Sequence, residues 1–261
     1  MSSPRPHFLV LAYPLQGHIA PALRLARRLL AVAPDVLVTF STTIAAHSRM
    51  SPAAKSTDDG ECGAPEEDGR LEFHPFSDGT ERGYAGGSDD VAEFNAYMVS
   101  GRPYLLVVRK DNRAMLAEEA DTELELGERA KNGMVVEWCD QAHVLSHPAV
   151  GCFVTHCGWN SVLESVASGV PMVGVPKVSE QSTNARLVER EWRVGVRAQV
   201  DGGGVLRAAE LRRCVEDVMG DETEVRRMAA EWNRVVAEAM GKGGSSYCNL
   251  MAFVDGARSR S

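Results

Sequence analysis

The run from Gly151 to Val175, GCFVTHCGWNSVLESVASGVPMVGV, constrains the fold more than any other part of this chain. Its residues predict an apolar strand over Gly151–Thr155, then a tight polar turn over His156–Ser161. A helix follows, capped by Gly169, and a second buried strand spans Pro171–Val175. The fold class expected from this β-turn-α-β unit is α/β. Such a unit sets the unpaired backbone N–H groups of a helix start at the carboxyl end of a strand, where α/β proteins bind phosphate.

The turn carries residue types suited to a nucleoside diphosphate. Gly158 lets backbone approach an anion closely, and His156, Asn160 and Ser161 can donate hydrogen bonds to it. Glu164 follows Asn160 by four residues and Ser161 by three, so it projects from the same helix face. A carboxylate there repels phosphate but accepts from a ribose diol. Trp138 and Gln141 stand on the approach to the unit, and an indole stacking on a base contributes about 1–3 kcal/mol.

Together these residues resemble the donor-site box of the plant UDP-dependent glycosyltransferases. The likeness runs from Trp138-Cys139-x-Gln141, through His156-Cys157-Gly158-Trp159-Asn160-Ser161 and Glu164, to Glu180-Gln181. Many residue types at set spacing make it far more specific than a lone glycine motif. The resemblance implies that Trp138 stacks on uracil and that Gln141 and Glu164 bind ribose. It implies a diphosphate held by His156, Asn160 and Ser161, with Gly158 and Trp159 in the same turn, and sugar hydroxyls held by Glu180 and Gln181. The closing Gln implies glucose as donor sugar. One departure is Val178, which stands where the box carries Trp.

The same residues also admit purely structural roles. Ser161-x-x-Glu164 reads as a capping box, with the serine on a backbone N–H and the glutamate reaching back. Trp138 could be a core aromatic. Cys139, Cys152, His156 and Cys157 invite a zinc reading, but no paired C-x-x-C spacing accompanies them, so no metal is expected. Their joint occurrence in one unit favours the nucleotide.

A second informative segment opens the chain. Residues 7–12 form an apolar run of strand length, broken by Pro14 and Gly17. A helix follows, with Ala22, Leu25, Ala26 and Leu29 against Arg24, Arg27 and Arg28. His18 therefore falls where strand hands over to helix. The resemblance implies that His18 is the catalytic base of an inverting, metal-free displacement at the anomeric carbon, with no cofactor beyond the UDP-sugar co-substrate. An unperturbed imidazole can take the proton an attacking hydroxyl must lose, and such help contributes roughly 10²–10⁴-fold. A structural alternative is a histidine bonded to local backbone at a helix start.

Such a base needs an orienting group. The resemblance implies an Asp on a later strand of the first domain, and none is identified. Phe73–Gly79 and Glu93–Ser100 still resemble that domain, but Arg102–Arg109 resembles a strand well inside the second. Asp78, Asp89 and Asp90 lie in a Gly-rich loop with no motif to recommend them. Two complete Rossmann-like domains need on the order of 400 residues, whereas this chain has 261. The expectation is a GT-B type α/β fold with an internal deletion near Ser100–Pro103. Its parts are a partial acceptor-side domain over 1–102, a partial UDP-sugar domain over 103–240, and a terminal loop and helix over 241–261. An amino-terminal remnant of about three strands is marginal for independent stability.

Composition narrows the partners. Hydrophobic residues make up 44% and charged residues 25%, as in ordinary globular proteins. A net charge of −8 disfavours nucleic acid and anionic membrane surfaces. No apolar run reaches membrane-spanning length, and the opening lacks a signal-peptide pattern. Six irregularly spaced cysteines fit reduced thiols in the cytosol. Residues 48–70 and Thr80–Asp90 read as loops, Asn184–Glu191 as helix and Val194–Ala198 as strand. Asp201–Gly204 reads as a turn. Helices are expected around Ala208–Met219 and Glu222–Met240, the latter with Trp232, Val235 and Val236 on its apolar face. A last helix near Tyr247–Asp255 braces the first domain by the resemblance, or packs on the second. The expected function is hexosyl transfer, of glucose in particular, from a UDP-sugar to a small hydroxylated acceptor such as a flavonoid, by a monomer. The alternative is a non-catalytic form that keeps UDP-sugar binding or associates with full-length relatives.

Overall fold

The computed structural model describes residues 5–13, 16–50, 69–75, 102–107, 133–202, 206–220 and 223–259. Asp78, Asp89, Asp90, the Thr80–Asp90 and Glu93–Ser100 stretches and most of the 48–70 loop lie outside them. The chain divides into two compact units, Met1–Gly86 with Glu238–Ser261, and Gly87–Ala237.

In the first unit, strands β1 (His7–Leu11), β2 (Leu37–Ser41) and β3 (Leu71–Phe73) form a parallel sheet in that order. Helix α1 (Gln16–Val32) links β1 to β2, and α2 (Ile44–Met50) follows β2, taking up the start of the stretch expected as loop. The period of two along β1 turns Phe8 and Val10 toward the core and leaves Leu9 and Leu11 69% and 67% exposed. On α1 the buried stripe runs through Ile19, Ala26, Leu29 and Leu30. Leu25, expected on the apolar face, is exposed, because Leu23 and Leu30 widen the stripe on its opposite side.

The terminal helix, α8 (Ser245–Arg258), packs on this sheet and α1. Val254 is fully buried in the cluster that holds Ala26, Leu29 and Phe40. Phe253 meets Phe8 with ring centroids 5.3 Å apart. Arg258 grips Asp35 through the Nε and Nη2 of one guanidinium edge, with Nε donating to Oδ2 at 3.0 Å, and so holds that carboxyl below its usual range. Of the two placements open to this helix, the fold takes the one against the amino-terminal unit.

In the second unit, β4 (Tyr104–Val107) and β5 (Gly133–Val136) pair in parallel. A second parallel sheet orders β6 (Phe153–Thr155), β7 (Met172–Gly174) and β8 (Gly195–Arg197). Helix α4 (Trp159–Ser168) joins β6 to β7, and α5 (Gln181–Arg186), running on into a π-helical turn over Leu187–Glu191, joins β7 to β8. Two more helices follow, α6 (Ala208–Met219) and α7 (Glu224–Met240). One apolar cluster gathers Val173 and Val175 with Leu211, Cys214 and Val218 of α6. The other gathers Met172 with Val162, Val166 and Ala185 of α4 and α5 and Ala229 of α7. Coverage on both faces explains why the β7 run is continuously apolar. On α7, Trp232 and Val236 pack inward, but Val235, expected beside them, is 39% exposed, one helical step off that face. Among the described residues no helix is long and apolar enough to cross a membrane.

Candidate functional site

Helix α4 begins earlier than the sequence predicts. Gly158 is its N-cap, with no side-chain capping bond, and the Val162 N–H already donates to the Gly158 carbonyl at 3.0 Å. Ser161 is consequently a first-turn helical residue, not a cap, and the capping-box alternative for Ser161 and Glu164 does not hold. Their side chains turn to a neighbouring helix instead.

That neighbour is the short α3 (Gln141–Leu145), capped by Asp140, whose Oδ1 accepts from the His143 N–H at 3.0 Å. The cap fixes Gln141 as the first helical residue. Its Nε2 donates to Glu164 Oε2 at 2.7 Å and lies 3.2 Å from Ser161 Oγ. Three residues assigned to ribose and phosphate from the sequence thus form one bonded group, although Gln141 is separated from Glu164 by 23 positions. Trp138, on the segment entering α3, is 65% exposed and is therefore no core aromatic. The exposed His156 lies across Gly158, where an added methyl would meet its Nε2 at 2.6 Å. Asn160 sits in the first turn of α4, half-buried.

Trp159 takes a different place. Its ring packs on Trp192 at 6.0 Å, and Trp192 in turn on Trp232 at 5.7 Å. The Trp232 Nε1–H donates to the Trp192 carbonyl at 3.2 Å. This column anchors the start of α4 to α7, and the indole of Trp159 is committed to it.

At the far end of the box, Glu180 is the exposed N-cap of α5. Gln181 Oε1 accepts from the Lys177 and Val178 N–H groups at 2.8 and 3.0 Å. Holding the amide oxygen commits the NH₂ end of Gln181 as the end available to a ligand. Val178 is exposed.

Residues that the sequence did not single out hold the β6–α4 turn. Cys157, though not glycine, has φ of 63°, a left-handed conformation that needs outside support. Its N–H donates to Thr155 Oγ1 at 3.2 Å, and its carbonyl accepts from Asn184 Nδ2 at 3.0 Å. The only sequence signal for Asn184 is a polar residue on the inward face of a short helix. Burial pushes the thiol of Cys157 up to about 11 and those of Cys152 and Cys214 to about 12. All three stay protonated at neutral pH, unsuited to serving as thiolate ligands or nucleophiles. Among the described residues no group of three or more His, Cys, Asp or Glu side chains is placed so that it could hold a metal ion.

In the other unit, His18 occupies the first turn of α1 and is exposed, with the Tyr13 ring edge-on at 5.6 Å.

Comparison with known proteins accords with this geometry. Residues 122–229 match the family model for UDP-glucuronosyl and UDP-glucosyl transferases. Anthocyanidin 3-O-glucoside 5-O-glucosyltransferase 1 of Perilla frutescens is 46% identical over 160 residues, 60% of this chain and 35% of that protein. The chain spans about a third of the length of the curated relatives it matches. Os79 of O. sativa, solved in complex with UDP, is 36% identical with a TM-score of 0.60, over 67% of this chain and 39% of that one. UDP-glucose: anthocyanidin 3-O-glucosyltransferase, solved in complex with UDP, aligns over 99% of this chain and 100% of that one. Its TM-score is 0.74 at 15% identity, a likeness of fold alone. The α/β fold is of the GT-B type, as expected. Through the segment that carries the donor box and the fold around it, this chain belongs to the plant UDP-dependent glycosyltransferase family.

Proposed function

We propose that the chain binds a UDP-sugar at the start of α4 and serves hexosyl transfer to a hydroxyl of a small acceptor. The observation that carries this reading is the bonded group of Gln141, Ser161 and Glu164 beside an uncapped helix start. Glu164 and Gln141 hold the ribose hydroxyls, and Trp138 stacks on uracil. His156, Asn160, Ser161 and the first-turn N–H groups receive the diphosphate, whose negative charge the helix start favours. Because those donors meet the charge that grows on the leaving diphosphate, the reaction needs no metal. Glu180 and Gln181 take the sugar hydroxyls, with glucose as donor sugar. His18 removes the acceptor hydroxyl proton as the oxygen attacks the anomeric carbon. The anomeric C–O bond breaks with its electron pair passing to UDP, and the configuration inverts. Relatives named for anthocyanidin glucosides and phloretin favour a phenolic acceptor. The unpaired thiols among the described residues suit a reducing cytosol, with the chain working as a monomer.

Calorimetry with UDP and a sugar-transfer assay test this together. Glu164→Ala is expected to weaken UDP about 10–100-fold, the range for losing bonds to a charged group. His18→Ala should leave UDP affinity alone and reduce transfer roughly 10²–10⁴-fold. A chain that does not bind UDP ends the reading. A second reading, nucleotide binding without transfer, is favoured by the chain's span of only a third of its relatives. It is supported if the unaltered chain binds UDP and transfers nothing.

A further inference from the structure

We propose that Asn184 is a positioning residue for the diphosphate, acting through the Cys157–Gly158 peptide; this rests on the nucleotide reading above. Asn184 is 5% exposed and sits on α5, one turn beyond Gln181. Its Nδ2 reaches back 27 residues to the Cys157 carbonyl. A trans peptide is planar, with its C=O and N–H directed oppositely. Drawing the Cys157 carbonyl onto the buried amide therefore aims the Gly158 N–H the other way, out from the core, at the head of α4. That N–H adds to the donors of the helix start.

The conformation being held is an expensive one. A non-glycine residue in the left-handed region costs on the order of 1–3 kcal/mol when it persists, and Cys157 has φ of 63°. Three contacts hold it there. Thr155 Oγ1 takes its N–H, Asn184 takes its carbonyl, and its side chain lies over Gly174, where any Cβ would meet Sγ at 2.8 Å. Of these, only the Asn184 bond fixes the direction of the 157–158 peptide. It also ties the diphosphate turn to the helix that begins at Gln181, so both ends of the donor are served by one rigid piece. An aspartate could not replace it, since a carboxylate offers no donor to a carbonyl.

The test compares two ligands on the full chain. UDP carries the diphosphate, whereas uridine presents only the base and ribose. Asn184→Ala and Asn184→Asp are expected to weaken UDP roughly tenfold or more, the scale of one buried donor lost. Uridine affinity, followed by NMR titration, should stay within about twofold, because Gln141 and Glu164 are untouched. Equal losses for both ligands, or UDP affinity unchanged in both variants, would overturn the proposal. Cys157→Gly, which adopts positive φ freely, should make the added effect of Asn184→Ala smaller; strictly additive effects count against it. If the unaltered chain binds uridine and UDP equally or neither, the nucleotide reading itself fails, a result separable from failure at Asn184.

Discussion

The two units solve the same α/β problem with different economies of chain. The unit Gly87–Ala237 builds its candidate site from one stretch, Trp138 to Asn184, whose polar side chains bond to one another and to its own backbone. The amino-terminal unit instead draws on both ends of the chain, because its three-stranded sheet is covered by α8. Even so, Leu9, Leu11 and Tyr13 remain exposed there. A site read from contiguous residues tolerates the loss of distant segments; one assembled from distant segments does not.

The comparison breaks hardest at α8. Val254→Asp buries an unpaired carboxylate in the core of the amino-terminal unit and is expected to cost roughly 4 kcal/mol or more. Hydrogen exchange followed by mass spectrometry should then show β1 and α1 losing protection while β6, β7 and β8 keep theirs, with UDP affinity preserved. Equal loss across both units would mean that the unit Gly87–Ala237 does not stand by itself.

A converse change lies at Gly195, where an added Cβ would come within 2.4 Å of the Met172 carbonyl oxygen. That oxygen belongs to the adjacent strand, so the neighbour cannot rotate away. Gly195→Ala should destabilise the β7–β8 pairing by about 1–3 kcal/mol. Faster exchange in the β6–β8 peptides, with α8 peptides unaltered, would sharpen the contrast; no change in either would mean that the strands part without cost.

The smallest effect concerns pH. Arg213, donating to both carboxylate oxygens of Glu210, and the Gln199 N–H hold Glu210 down at about 2 against an ordinary 4.5. A carboxylate depressed in the folded state contributes stability that is full above about 4.5 and fades as pH falls toward 2. Arg213 is half exposed, so the pair contributes only about 0.2–1 kcal/mol. Glu210→Gln should lower the urea midpoint of the unit Gly87–Ala237 at pH 6 and leave it nearly unchanged near pH 2.

The candidate binding residues are more legible in the sequence than their surroundings. Gln141 and Glu164 could be paired from the box because the family resemblance supplied a shared partner, ribose, and the structure joins them directly at 2.7 Å. Trp159 was legible only as a member of the motif; its indole goes to Trp192 because α7 brings Trp232 behind it, which no local pattern encodes. Asn184 is not legible in the sequence for the same reason, since its partner lies 27 residues away in a turn whose backbone angle the sequence does not announce.

Sequence by itself determined the alternation of strand and helix from Gly151 to Ala198, the extent of α6 and the stop at Gly169, whose φ is 70°. Those depend on periodicity, glycine and burial within a few neighbouring residues. Tertiary structure alone decided that Ser161 bonds to Gln141 rather than capping its helix, that Leu25 and Val235 face outward, and that α8 returns to β1. Each of those is a choice between surfaces, settled by which apolar faces meet and which buried polar atoms must find partners, and neither is written in any single segment.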